Sequence, residues 1–165
     1  ALFLAATLRS LGCRPASGEA PDLDIRFDAA LAPRLALEPG GEIALAFHGG
    51  RARLALAPTA EAATGALALL LPLVARWTGR VVATQTRALN RKVVSTIGLS
   101  ELALLALEGS VWRPLCVGDA PLSALLAADA LAVLNPGCEG LPAGAPLAAT
   151  PLAAPLAPQT ESVAS

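Results

Sequence analysis

The segment from Ile43 to Gly79 constrains the fold more than any other part of this chain. Ile43, Leu45 and Phe47 alternate with smaller residues, Gly49-Gly50 supplies a tight connection, and Ala52, Leu54 and Leu56 resume the alternation. A period of two on both sides of a glycine pair predicts a β-hairpin with one apolar face. Pro58-Thr59 then opens an Ala- and Leu-rich run to Trp77, with Thr59 placed to cap the first exposed amides and Gly79 to end the helix. Pro72 lies inside that run and is expected to kink it. A hairpin followed directly by a long apolar helix calls for an α/β layer.

Upstream, Leu2, Leu4, Leu8 and Leu11 fall near helical spacing, so Ala1 to Leu11 is read as a helix ended by Gly12. Leu23 to Phe27 alternates apolar and charged residues as a half-buried strand does, Ala29 to Leu37 reads as a short helix, and Glu38-Pro39-Gly40-Gly41 as a turn. From Arg80 the character changes. Val81 to Thr86 and Lys92 to Ile97 are rich in β-branched residues, and Glu101–Leu107 with Val111–Val117 reads as a strand pair around Glu108-Gly109-Ser110. Pro121 to Ala128 reads as a short helix led in by Asp119, Leu131 to Leu134 as a buried strand, Asn135 to Gly144 as a double turn, and Ala145 to Leu152 as the last strand. Beyond it the prolines of the Ala/Pro/Leu tail are expected to stop any helix or ladder.

The 165 residues are enough for one ordinary domain or two small ones, and their 55% hydrophobic content is incompatible with wholesale disorder. Twelve basic against thirteen acidic residues leave a net charge of -1 without a basic stripe, so no nucleic-acid partner is expected. The longest apolar stretch, Ala66 to Ala75, stops at Arg76 after roughly half of the ~20 residues a spanning helix needs, so no membrane association is expected and a cytoplasmic location is. Cys13, Cys116 and Cys138 match neither a zinc spacing nor a disulfide framework and read as buried small hydrophobes. The chain has no Met and opens within an apolar run, which reads as the downstream part of a longer protein.

Few residues carry chemistry. His48 is the only histidine, which makes a histidine-based zinc site improbable and leaves a single base for any Ser-His-Asp arrangement; its place beside Gly49-Gly50 equally suits an exposed turn. Asp22 and Asp24, two apart, suit either a metal or acid–base pair or a solvated turn. Pro39-Gly40-Gly41 and Pro58-Thr59 stand where backbone amides and a helix start could hold an anion, though a plain turn and a plain cap look the same. Ser95 and Thr96, with Arg91 and Lys92, form a polar, basic cluster that could touch a phosphate or simply end a strand.

Taken in order, these segments resemble the C-terminal half of the molybdopterin molybdenumtransferase family, the MoeA and gephyrin E-domain proteins that insert molybdate into molybdopterin. Leu37-Glu38-Pro39-Gly40-Gly41-Glu42, the hairpin around Gly49-Gly50, Pro58 and the helix to Gly79 resemble that family's Pro-Gly loop, hairpin, Leu-Pro-Gly-Asn-Pro loop and following helix. Ser95-Thr96-Ile97-Gly98, the helix Pro121 to Ala130, and Leu131 to Gly144 with its Pro136-Gly137 turn resemble the family's C-terminal β-barrel.

The resemblance implies an α/β fold: an incomplete, MogA-like three-layer molybdopterin-binding domain over residues 1–80, a small β-barrel domain over 81–153, and a disordered tail over 154–165. It implies molybdopterin or adenylated molybdopterin and molybdate as ligands, magnesium as a possible companion, and a homodimer or a MoeA-like paralogue as partner. Pro39, Gly40, Gly41, Pro58, Thr59 and Ser95 would line the site. The family's Gly-Gly-x-Ser-x-Gly-x-x-Asp loop has no counterpart between Gly12 and Pro39, and Thr59-Ala60 replaces Gly-Asn. Gly41 stands where a Lys is common. Amide donors and positive charge are lost together, so molybdenumtransferase activity and a catalytically inactive scaffold or dimerisation role both remain open.

Overall fold

A computed structural model describes residues 2–10, 12–16, 21–27, 43–152 and 157–158. The expected helix at Ala29–Leu37 and the turn at Pro39–Gly41 lie outside them.

The first unit is a small mixed sheet under helices. Strand β2 (Ile43–His48) turns at Gly49-Gly50 into β3 (Arg51–Leu56), and β1 (Leu23–Phe27) lies parallel on the other side of β3, giving the order β1-β3-β2. Both glycines of the turn have positive φ, 56° and 78°, as a two-residue hairpin connection requires. Ala52, Leu54 and Leu56 of β3 are buried while Arg51 and Arg53 point the other way. Helix α2 (Ala60–Trp77) covers the apolar face with Ala62, Ala66, Leu67, Leu70, Leu71 and Val74. Helix α1 (Leu2–Ser10) adds Leu4 to the same core. The opposite face carries Asp24, Arg26, Arg51 and Arg53, and among the described residues no helix lies over it.

α2 is long and apolar enough to cross a membrane by length and composition. Its apolar stripe is instead buried against the sheet, each fully buried leucine contributing about 2 kcal/mol. The helix is continuous through Pro72, which sits on its exposed side.

The second unit is a five-stranded sheet in the order β5-β11-β9-β7-β8, formed by β5 (Gln85–Ala88), β7 (Glu101–Glu108), β8 (Val111–Val117), β9 (Ala130–Leu134) and β11 (Pro146–Pro151). The expected β7–β8 pair forms around Gly109, with a register shift at Leu104/Leu105 where Pro114 occupies the outer strand. An outer strand is where a proline costs no ladder hydrogen bond. The sheet curls until its outer strands meet: Leu89 bridges Trp112, and the Asn90 amide donates to the Trp112 carbonyl at 2.9 Å. Two short ladders complete the architecture, β6 (Val93–Val94) with β10 (Gly140–Leu141), and β4 (Arg80–Val81) with β12 (Ala157–Pro158). The prolines of the tail therefore do not exclude every ladder contact, since a short pair at a sheet edge can leave a proline on its non-bonding side.

Strand alternation makes β7 and β9 a wall between two cores. Leu104 and Leu131 face the α2 core, whereas Ala103, Leu105, Ala130, Ala132 and Leu134 face a second core around Trp112. Helix α3 (Leu122–Ala127) also packs on the first core through Ala124 and Leu125. Its N-cap is Pro121 without a side-chain hydrogen bond, so the expected lead-in by Asp119 is not the device used.

Candidate functional site

In a sheet with parallel strands, ligands gather where the strands end and the next helix begins. Here that edge is where β1 and β3 finish side by side, Phe27 opposite Leu56, and where Ile43 of β2 pairs with the same Leu56. Pro58 leaves this edge exposed, and Thr59, half-buried in extended geometry, caps α2. The Thr59 hydroxyl oxygen accepts the Ala62 amide at 3.1 Å and its carbonyl accepts the Ala63 amide at 3.2 Å. The amides of Ala60 and Glu61 head the helix and, like all first-turn amides, have no intrahelical acceptor. They offer an anion two donors and the positive end of an 18-residue helix.

Opposing charges temper that offer. Glu61 lies in the first turn. The Cys116 thiol nearby is pushed up by burial, opposed by a hydrogen bond with the Leu104 backbone, and raised further by the carboxylates of Asp119 and Glu61.

Ser95 belongs to the second unit and is buried. Its hydroxyl donates to Glu101 at 2.8 Å, and the Thr96 amide donates to the same carboxylate at 2.6 Å. Those bonds, the Thr96 amide first and the Ser95 hydroxyl second, hold the Glu101 carboxyl below its usual range. Arg91, one of the two basic members of that cluster, donates to the Pro114 carbonyl, and Lys92 is exposed. The polar cluster is therefore internally bonded around a carboxylate. Glu101 was invisible to spacing arguments because its partners sit five and six residues away across the Gly98 turn.

Pro39, Gly40 and Gly41 lie outside the described residues; the strand that follows them starts at the Leu56 edge. His48 is exposed at the far end of β2, paired with Arg51. Asp24 is ion-paired with Arg26 at 2.9 Å and Arg53 at 3.4 Å, which makes it a partner of arginines rather than a metal ligand. Among the described residues no group of three His, Cys, Asp or Glu side chains could hold a metal ion.

No protein-family model and no curated protein matches this chain. Solved structures do. A molybdopterin biosynthesis MoeA protein from Pyrococcus horikoshii superposes with a TM-score of 0.62 at 19% identity, covering 81% of this chain and 38% of that one. A second structure of a MoeA protein from Pyrococcus horikoshii gives 0.56 at 18% identity, over 69% and 30%. A molybdenum cofactor biosynthesis protein from Pyrococcus furiosus gives 0.63 at 20% identity, over 91% and 63%. The resemblance drawn from ordered turns and strands is thus borne out in the fold, and the chain spans between 30% and 63% of the structures it matches.

Proposed function

We propose that this chain is a MoeA-like protein of molybdenum cofactor biosynthesis that binds molybdopterin or its adenylate in the cytoplasm and supports molybdate insertion. The observation that carries this reading is the likeness of fold to molybdopterin and molybdenum cofactor biosynthesis proteins over most of the chain. In this reading residues up to about 80 form a partial pterin-binding unit, those from 81 to 153 the barrel, and a second copy or a paralogue completes the assembly.

The chemistry asked of the chain is electrostatic positioning. The leading amides of α2, framed by Pro58 and Thr59, would hold a pterin phosphate. No step is routed through magnesium. The test is retention: the chain is incubated with molybdopterin or its adenylate, passed through gel filtration, and bound pterin read by fluorescence after oxidation. Co-elution at micromolar protein is expected, and its absence removes the reading. Restoring the family's loop with Thr59→Gly and Ala60→Asn should strengthen retention.

A second reading, a catalytically inactive scaffold or dimerisation partner, is favoured by one pair of observations. Thr59 and Ser95 both commit their side chains to internal hydrogen bonds. It predicts stable co-elution with an active MoeA-type protein without any pterin bound to this chain.

A further inference from the structure

We propose that a cleft at the amino-terminal edge of the first sheet binds a phosphorylated aromatic ligand of nucleotide size, with arginines holding the phosphate and Trp77 the ring. β1 and β3 start at this edge, with Leu23 opposite Ala52, so it lies at the other end of the strands from Thr59. The inference stands whether or not the chain handles a pterin.

The cleft has a volume of about 1090 Å³, room for an organic ligand rather than a lone phosphate. Arg9, Arg14 and Arg51 line it, and among the described residues none of the three has an ion pair. Asp24 on the same wall is already matched by Arg26 and Arg53, leaving Asp22 as the opposing charge among the described residues. A chain with net charge -1 has thus collected an excess of guanidinium groups in one concavity. The Arg80 guanidinium lies close by, 3.2 Å from where a Cβ on Gly12 would be, and has an interaction of its own.

Both helices end here, and arginines often serve only to balance a helix carboxyl terminus. The terminal carbonyls themselves are hydrogen-bonded by other groups. The Gly12 and Cys13 amides bond the Arg9 and Leu8 carbonyls at 2.9 and 3.0 Å, and Thr78 bonds the Val74 carbonyl through both its amide and its hydroxyl. The forks of Arg9, Arg14 and Arg51 have no carboxylate partner among the described residues, and their planar donors suit phosphate oxygens. Trp77 lies on the cleft wall 42% exposed, a flat apolar surface of the kind on which a base stacks.

The test uses the whole chain at low salt, with ADP, adenosine and pyrophosphate as probes, read by tryptophan fluorescence and calorimetry. Trp112 is 1% exposed, so a quench reports on Trp77 and should vanish in Trp77→Phe. ADP is expected to bind about tenfold or more tighter than adenosine or pyrophosphate, and Arg14→Gln and Arg51→Gln each to loosen it by about tenfold with an unchanged circular dichroism spectrum. Neither quench nor heat at about 1 mM ADP overturns the proposal. So does an ADP affinity indifferent to both arginine variants, or pyrophosphate binding as tightly as ADP.

Discussion

The Ser95 hydroxyl donates to the Glu101 carboxylate at 2.8 Å, tying a buried residue to a fixed negative charge six positions along the chain. Glu101 is held below its usual 4.5 by the Thr96 amide and then by Ser95. A carboxylate depressed in the folded state contributes stability above its unfolded pKa and loses it as pH falls through the folded one. Glu101→Gln should therefore lower the urea midpoint by a constant amount above about pH 5, and the gap should narrow progressively as pH falls below the ordinary glutamate range. Parallel curves through the acid range would disprove the assignment.

Thr59→Ala removes the acceptor for the Ala62 amide and should cost about 1 kcal/mol in urea unfolding, with Thr59→Asn nearly neutral. Equal losses in the two variants would mean the cap contributes nothing.

Gly140 has φ 129°, and a Cβ there would meet the Val93 carbonyl oxygen at 2.3 Å. Gly140→Ala should cost more than about 3 kcal/mol or prevent folding. Gly109, at φ 62° with open space around it, should lose only about 1 kcal/mol as alanine. Thermal melts of the two variants side by side distinguish backbone collision from mere conformational preference.

Trp112 is buried and donates its indole N–H to the Leu147 carbonyl at 3.2 Å. Replacing it with Phe removes that bond and leaves a void, an expected loss of about 2–3 kcal/mol in denaturant titration. A neutral substitution would show that the second core is not closed around this ring.

Leu104 and Leu131, from the β-rich half, share a core with Leu70 and Val74 of α2. Unfolding should then be one event, with helix loss by circular dichroism coinciding with Trp112 emission recorded in a Trp77→Phe background. Separate midpoints would mean that the two halves are independent.

Features made by neighbours in sequence were legible from residue order. The 43–56 hairpin, the Thr59 cap and the β7–β8 pair rest on alternation and turn residues a few positions apart, and each forms as read. Long-range relations were not. Nothing local announces that β1 lies parallel to β3, that Leu89 reaches Trp112, or that Ala157–Pro158 pairs with Arg80–Val81. The same limit applies to the sites. Thr59 was readable because a cap is a local device, whereas the arginine cleft draws on Arg9, Arg14 and Arg51, which only the packing of α1 against the sheet brings together.

The contact between Leu89 and Trp112 draws the two outer strands of the second sheet together at one point. The Trp112 carbonyl, taken by the Asn90 amide, is closed to a strand from another molecule, which makes that stretch of edge a poorer template for association.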